Sequence, residues 1–211
     1  MPAEMPRRGG RIRVASVSSS TADTLDPAKA ALSTDYARLN MLYSGLTQFD
    51  SALNAQPALA EEIHDSGRIL WTIKLRKGVQ FHNGAELDSN AVKFNSERAR
   101  DLPNTQLDEA KWWTSIETPD KYTVVLNSEQ PRPGMFDFWQ VLNIVDKDTM
   151  EGPNAKTVAV GTGPFTFGEF VQGDHLTLNK NPSYWQTGEP FLDQLQFRIF
   201  TDLDRVAPGA I

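Results

Sequence analysis

The sequence predicts a mixed α/β fold, and three observations predict it. Residues 69–75 place Ile69, Trp71, Ile73 and Leu75 in alternation with Leu70, Thr72 and Lys74, the period of a half-buried strand. Helical signals follow different rules elsewhere: Asp88 stands as a cap before 89–100, and Tyr36, Leu39, Tyr43 and Leu46 repeat at helical spacing. Strand-like runs also recur at both ends of the chain, at Arg11–Val17 and Gln194–Phe200, so helices and strands alternate rather than segregate.

In chain order, Arg11–Val17 reads as a first strand with Ile12 and Val14 on one face and Arg11 and Arg13 on the other. A hydroxyl run, Ser18, Ser19, Ser20 and Thr21, leaves its end; on composition alone it is a flexible loop. Leu25-Asp26-Pro27 closes that loop. Thr34 or Asp35 then caps a helix whose aromatic stripe faces the core up to a stop at Gly45, and 46–50 forms a short strand. Glu61 and Glu62 read as the end of a helix.

The stretch 71–98 organises the rest, in the order strand, hairpin, helix. Arg76, Lys77 and Gly78 break the strand, 79–81 offers it a partner, and Asn83-Gly84 supplies residues that tolerate positive φ in a tight turn. The helix after Asp88 has only Ala91, Val92 and Phe94 to pack, which makes it a surface helix on the hairpin. His82 reads as a surface turn histidine, and Lys74, Arg76 and Lys77 as a solvated face.

Beyond a polar loop at 101–108 stand Trp112 and Trp113. Neighbours in a helix or strand project in different directions, so one of the two is exposed or lines a cleft. Residues 115–126 form a second hairpin about Pro119-Asp120. Gln130-Pro131-Arg132-Pro133 then leads into an apolar helix holding Met135, Phe138 and Trp139. Arg132, set between two prolines, offers a guanidinium suited to forked carboxylate recognition. Gly161 and Gly163 suit a backbone turn around Thr162; with no GK[ST] after it, the turn is not a phosphate loop. Strands at 176–180 and Gln194–Phe200 complete the order.

Composition excludes several function classes. With 39% hydrophobic and 23% charged residues the chain is globular. A net charge of -6 argues against a phosphate-binding surface, so no nucleic-acid partner is expected. Zero cysteines remove disulfides, thiolate metal sites and thiol nucleophiles together. The three histidines, His64, His82 and His175, belong to no zinc-protease motif, and no serine-hydrolase elbow occurs, so hydrolysis is disfavoured. No run of about 18 apolar residues exists to span a membrane. MPAEMPRRGG lacks the apolar segment of a secretory signal.

LRKGVQFHNG with its Asp-initiated helix, followed later by GTGPF, NPSYW and FLD, resembles the family 5 extracellular solute-binding proteins, the peptide, nickel and opine receptors of ABC importers. The likeness runs from Gly9 to Val206 but covers only the front part of the family fold, and Pro208 falls where the family continues a helix. It implies a mixed-sheet lobe of a periplasmic-binding-protein-like fold, with 1–50 and 158–211 as a discontinuous α/β core subdomain, 51–157 as an inserted α+β subdomain, and the second lobe absent. It also implies a signal already removed, a periplasmic or membrane-anchored extracellular location, and a small peptide or other small solute handed to ABC permease subunits. No cofactor, metal or catalytic residue is implied.

For the site, the resemblance aims Ser18, Ser19, Ser20 and Thr21, one of Trp112 and Trp113, Arg132, and the turn of Gly161, Thr162 and Gly163 at a common cleft. Small hydroxyl residues after a strand let the backbone approach a ligand closely. A cleft face bared by the missing lobe is expected to favour self-association. The alternative to a transport role is a stand-alone lobe that serves as an interaction module.

Overall fold

The computed structural model describes residues 7–17, 24–153, 155 and 158–200. Ser18, Ser19, Ser20 and Thr21 lie outside these, as does everything from residue 201 onward. In chain order the first elements are β1 (Arg11–Val17), α1 (Ser33–Leu42), β2 (Thr47–Phe49), β3 (Ala55–Pro57), β4 (Ala60–Ser66), β5 (Leu70–Leu75) and α2 (Ser89–Asp101). Then come β6 (Trp113–Asp120), β7 (Thr123–Ser128), α3 (Met135–Val141), α4 (Lys147–Glu151), β8 (Phe165–Val171), β9 (His175–Lys180) and β10 (Gln194–Phe200).

The strands form two four-stranded sheets and a two-stranded ribbon of β2 and β3. In the first sheet, ordered β1-β10-β9-β8, β1 runs parallel to β10, with Ile12 opposite Leu195 and Val14 opposite Phe197. β9 is antiparallel to both its neighbours. Alternation puts Leu176, Leu178, Leu195 and Phe197 on one face, where they share a core with Leu39 and Leu42 of α1 and with Tyr43 just after it. The second sheet, ordered β4-β5-β7-β6, is antiparallel throughout. Its Trp71, Ile73, Leu75, Val124 and Leu126 form a second core with Val92 of α2 and Trp139 of α3.

The hairpin after β5 departs from expectation. β5 pairs with β4 on one side and β7 on the other, not with 79–81. Val79, Phe81 and Leu87 are buried instead, and the chain doubles back through a single bridge between Gln80 and Glu86. Leu87 N–H donates to the Val79 carbonyl and Phe81 N–H to the Ala85 carbonyl, each within 2.9 Å, while Gly78 and Gly84 take positive φ. Three buried apolar anchors in so short a segment require a compact loop rather than a flat strand. Glu61 and Glu62 likewise belong to strand β4, past a bulge, and not to a helix end.

Helix ends follow capping chemistry with two corrections. Asp88 caps α2, its carboxylate accepting the Ala91 N–H at 2.9 Å. Leu32, not Thr34 or Asp35, occupies the cap of α1, and Asp35 reaches back to the Leu32 N–H at 3.2 Å. Asp35 also pairs with Arg38 one turn on, both buried. Residues 143–149, NIVDKDT, whose likeness to family 5 implies a strand leading back to the first subdomain, instead enter α4, with the Asp146 carboxylate accepting from Thr149 N–H.

α2 buries polar Asn95 and Ser96 beside Val92 and Ala99, so it is more than a surface helix. The Asn95 amide donates to the Val145 carbonyl at 2.9 Å and accepts the Val145 N–H at 3.1 Å, meeting both backbone groups of one residue. Farther along α2, Arg98 forks onto Asp26 with contacts of 2.8 and 2.5 Å. Asp26 in turn caps the short 3-10 turn Pro27–Lys29.

The aromatic centre of the second core is Trp139, fully buried and edge-on to Trp71 at 5.0 Å between ring centroids. Trp139→Ala is expected to cost about 3–5 kcal/mol, the range for removing a large buried aromatic side chain. Trp112→Ala, at a position 38% exposed, is expected to cost under about 1 kcal/mol. Urea denaturation of the two variants checks the pair; equal losses would contradict this core.

Candidate functional site

The turn before β8 is where the two signature segments meet. A Cβ on Gly161 would sit 2.3 Å from a Tyr43 ring carbon and 2.4 Å from the Leu42 carbonyl oxygen, and one on Gly163 would meet the Leu42 backbone at 2.4 Å. Only glycine permits this approach. Gly163 N–H donates to the Leu42 carbonyl at 3.0 Å, and Thr162 has no exposed surface. Gly161, Thr162 and Gly163 are therefore pressed against the end of α1, where close packing leaves them no open face.

His82 holds that turn from the other side and is no surface histidine. Its backbone N–H donates to the Gly161 carbonyl at 2.8 Å, its Nδ1 accepts the Gly161 N–H at 3.3 Å, and its Nε2 lies 3.1 Å from the Gly163 oxygen. An N–H facing one nitrogen and a carbonyl facing the other require a neutral ring with its proton on Nε2. Burial pushes the His82 pKa below its ordinary value, opposed by the bond to Gly163. Asn181 donates to the same Gly163 oxygen at 2.9 Å. No local sequence signal announced this role, because both partners come from a distant turn.

Trp112 and Trp113 divide as neighbours must. Trp113 opens β6 and is buried against Phe138 at 5.5 Å between ring centroids, so it is a core residue and not a cleft residue. Trp112 ends the preceding 3-10 turn and is exposed, with the Arg132 guanidinium 3.9 Å over its ring. Arg132 is fixed by its backbone N–H to the Arg68 carbonyl, and its Nη1 lies 3.5 Å from the Glu109 carboxylate. The adjoining hollow carries Glu109 and Asp137 beside Arg132, so a ligand carboxylate there would have to displace Glu109.

The structure thus joins Trp112 with Arg132 and sets Gly161, Thr162 and Gly163 apart from the end of β1. β8 points the same way as β1 within the sheet, so the turn entering β8 and the C-terminal end of β1 stand at opposite ends. At the end where β1 finishes lies a cavity of about 350 Å³, lined by Thr24, Asp26, Lys29, Arg98, Phe170 and Gln172 among others. Its two cations already face Asp26: Arg98 through the fork and Lys29 at 3.6 Å. The Asp26–Arg98 fork went unread in the sequence, although Leu25-Asp26-Pro27 marked its place. Among the described residues, no His, Asp and Glu are grouped to hold a metal ion, and no helix is long and apolar enough to cross a membrane.

The pattern of the bacterial extracellular solute-binding proteins, family 5 (middle region), matches residues 54–208. The chain belongs to this family. It is 29% identical over 210 residues to the oligopeptide-binding protein AppA of Bacillus subtilis, covering 93% of this chain and 38% of that protein. It is 32% identical over 188 residues to the glutathione-binding protein GsiB of Salmonella paratyphi A, covering 85% of this chain and 36% of the relative. The periplasmic binding protein DppA of Helicobacter pylori, solved with the peptide STSA, superposes with a TM-score of 0.81 at 26% identity, covering 93% of this chain and 44% of the other. The chain therefore spans well under half the length of these family 5 relatives, and its fold is part of theirs.

The His82 arrangement gives a pH prediction. A depressed folded-state pKa means the unfolded chain takes up a proton first, so this contribution is intact above the ordinary histidine value of about 6.5 and is lost as pH falls below it. His175 works oppositely: its pKa is raised by Asp174 and then Glu169, so its contribution is present in acid and lost as pH rises through the raised value. Comparison with His82→Gln, which keeps one donor and one acceptor without titrating, cancels His175. Wild type is expected to lose stability relative to this variant as pH falls, with a slope of at most about 1.4 kcal/mol per pH unit. Parallel stability curves for the two proteins would refute the assignment.

Proposed function

We propose that the chain is the N-terminal lobe of the solute-binding component of an ABC importer, capturing a small peptide or similar solute for delivery to membrane permease subunits. The observation that carries this reading is the family match over residues 54–208. The names of AppA and GsiB, an oligopeptide binder and a glutathione binder, support a peptide-like solute. In this reading the protein works outside the cytoplasmic membrane, in the periplasm or tethered to the membrane, and it binds without turnover.

The same reading divides the chain into a core subdomain of 1–50 and 158–211 and an inserted subdomain of 51–157. The pairing of β1 with β10 supports the division, since it joins the two ends of the chain in one sheet. Ser18, Ser19, Ser20 and Thr21, leaving the C-terminal end of β1, are the first candidates for ligand contact, because open α/β sheets take ligands at that end. Trp112 with Arg132 is a second candidate, presenting an aromatic face and a guanidinium edge. Gly161, Thr162 and Gly163 serve this site by fixing α1. A clamp closes two walls on its solute, and the second wall is assigned to chain that the longer relatives possess.

One wall leaves much of the contact unmade while the association entropy remains to be met. If a full receptor binds near micromolar, about -8 kcal/mol, losing a third of that moves the dissociation constant to the order of ~0.1 mM or weaker. Calorimetric titration with di- and tripeptides, run on this chain beside a longer form, tests the reading. Sub-micromolar binding by the 211-residue chain would overturn the two-wall clamp. Sedimentation of the same samples checks the self-association proposed for an uncovered cleft face bearing Trp112.

A further inference from the structure

A second cavity, of about 290 Å³, lies where the C-terminal end of α1, the start of β2, the end of α3 and the loop after β9 converge. Its polar wall is made by Asn40, Ser44, Thr47, Gln140, Asn143 and Tyr184. None of its lining residues carries a charged side chain. It stands with the Gly161 turn at the end of the first sheet opposite to where β1 finishes.

The hydrogen bonds of that wall are unevenly filled. Asn143 is only 3% exposed; its Nδ2 donates to Asn40 Oδ1 at 3.0 Å, and its Oδ1 has no partner. Rotating both amides by a half-turn exchanges the roles and still leaves one end of Asn143 unpaired. Burying such a group costs about 1–3 kcal/mol, which a fold tolerates where something else meets the group. Thr47 Oγ1 gives its proton to the Phe136 carbonyl at 2.6 Å, and Ser44 Oγ faces the Thr162 carbonyl at 3.4 Å and also bonds the Tyr184 phenol, so each hydroxyl keeps a lone pair to spare. The Gln140 amide has no side-chain partner among the described residues. Burial, and then the nearby Glu189, push the Tyr184 phenol up to about 12, which keeps it neutral at physiological pH. Phe49, 40% exposed, adds a flat apolar surface at the edge.

We propose that this cavity is a binding site for a small uncharged molecule with adjacent hydrogen-bond donors and acceptors, the chemistry shared by a carboxamide and a polyol. The donors of such a molecule meet the two hydroxyls, its oxygen takes the Gln140 amide, and Asn143, whose Oδ1 has no exposed surface here, joins by turning its amide toward the cavity. An ion is disfavoured, since no lining side chain would compensate its lost hydration. The volume, near the lower limit of ligand cavities, admits only a small molecule or one end of a larger one.

The test follows side-chain amide resonances of the isotope-labelled chain by NMR during titration with acetamide, with glycerol, and with acetate and methylammonium as charged counterparts. Saturable shifts of Asn143, Asn40 and Gln140 with a neutral probe, and none with the ions, are expected. Acetamide alone would mark a carboxamide site, and glycerol alone a polyol site. Gln140→Ala, at a half-buried position, is expected to weaken the response about tenfold or more, the value of one lost amide contact. Absence of saturation with both neutral probes, an equal response to the ions, or unchanged affinity in Gln140→Ala would overturn the proposal. Because these probes are not peptides and none of the cavity's lining residues is among the candidate ligand contacts, the result stands apart from the peptide titration.

Discussion

The contact on which the rest of the structure depends is the meeting of two bare backbones, the turn of Gly161 and Gly163 against Leu42 and Tyr43. At separations that exclude even one methyl group, the end of α1 is fixed against the entrance to β8. α1 thereby lays Leu39 and Leu42 on the first sheet, and the chain leaving it at Gly45 enters the second core at Leu46, where Leu46 N–H reaches the Trp139 carbonyl. Gly45 is under the same restriction, since a Cβ there would lie 2.4 Å from that carbonyl. His82, delivered by the loop after β5, completes the joint through hydrogen bonds with both ends of the turn.

A second connection, of different physics, ties the same regions farther away. Arg98 of α2 forks onto Asp26, which sits between β1 and α1 in the chain. A largely buried pair gains little over apolar packing but becomes costly when one partner is lost, so it acts through specificity more than strength. The neutral imidazole clip and the ionic fork together set how α2 and its sheet sit relative to α1. Neither contributes much area, and each constrains direction where apolar contacts constrain only distance.

Much of the fold was legible because it obeys short-range rules. The alternation of Trp71, Ile73 and Leu75 needed only neighbouring residues to be read, as did the Asp88 cap and the splitting of Trp112 from Trp113. Errors came where a segment's state is set from a distance. The 79–81 segment has the residues of a strand, yet β7, far along the chain, takes the edge of β5 it would have used. His82 looks like any turn histidine until a distant glycine turn is placed across from it. The candidate contacts were harder still: chemistry made Arg132 a carboxylate binder, but it could not show that Glu109 stands within reach of that guanidinium.

The Asn95 amide carries a consequence for which substitutions the lineage can explore. It offers Val145 a donor and an acceptor at once, at a depth where no water can substitute. Aspartate has the shape but would turn an oxygen toward the Val145 carbonyl; leucine has the volume but neither group; glutamine has both groups, one methylene too far out. Of these, aspartate is a single-nucleotide change away, and it looks mild and is not. The same holds for chemical ageing, because loss of the amide nitrogen would yield that unsuitable aspartate in place. Position 95 has no synonym in the side-chain alphabet, and the segment leading into α4 owes its path to a residue that does not belong to it.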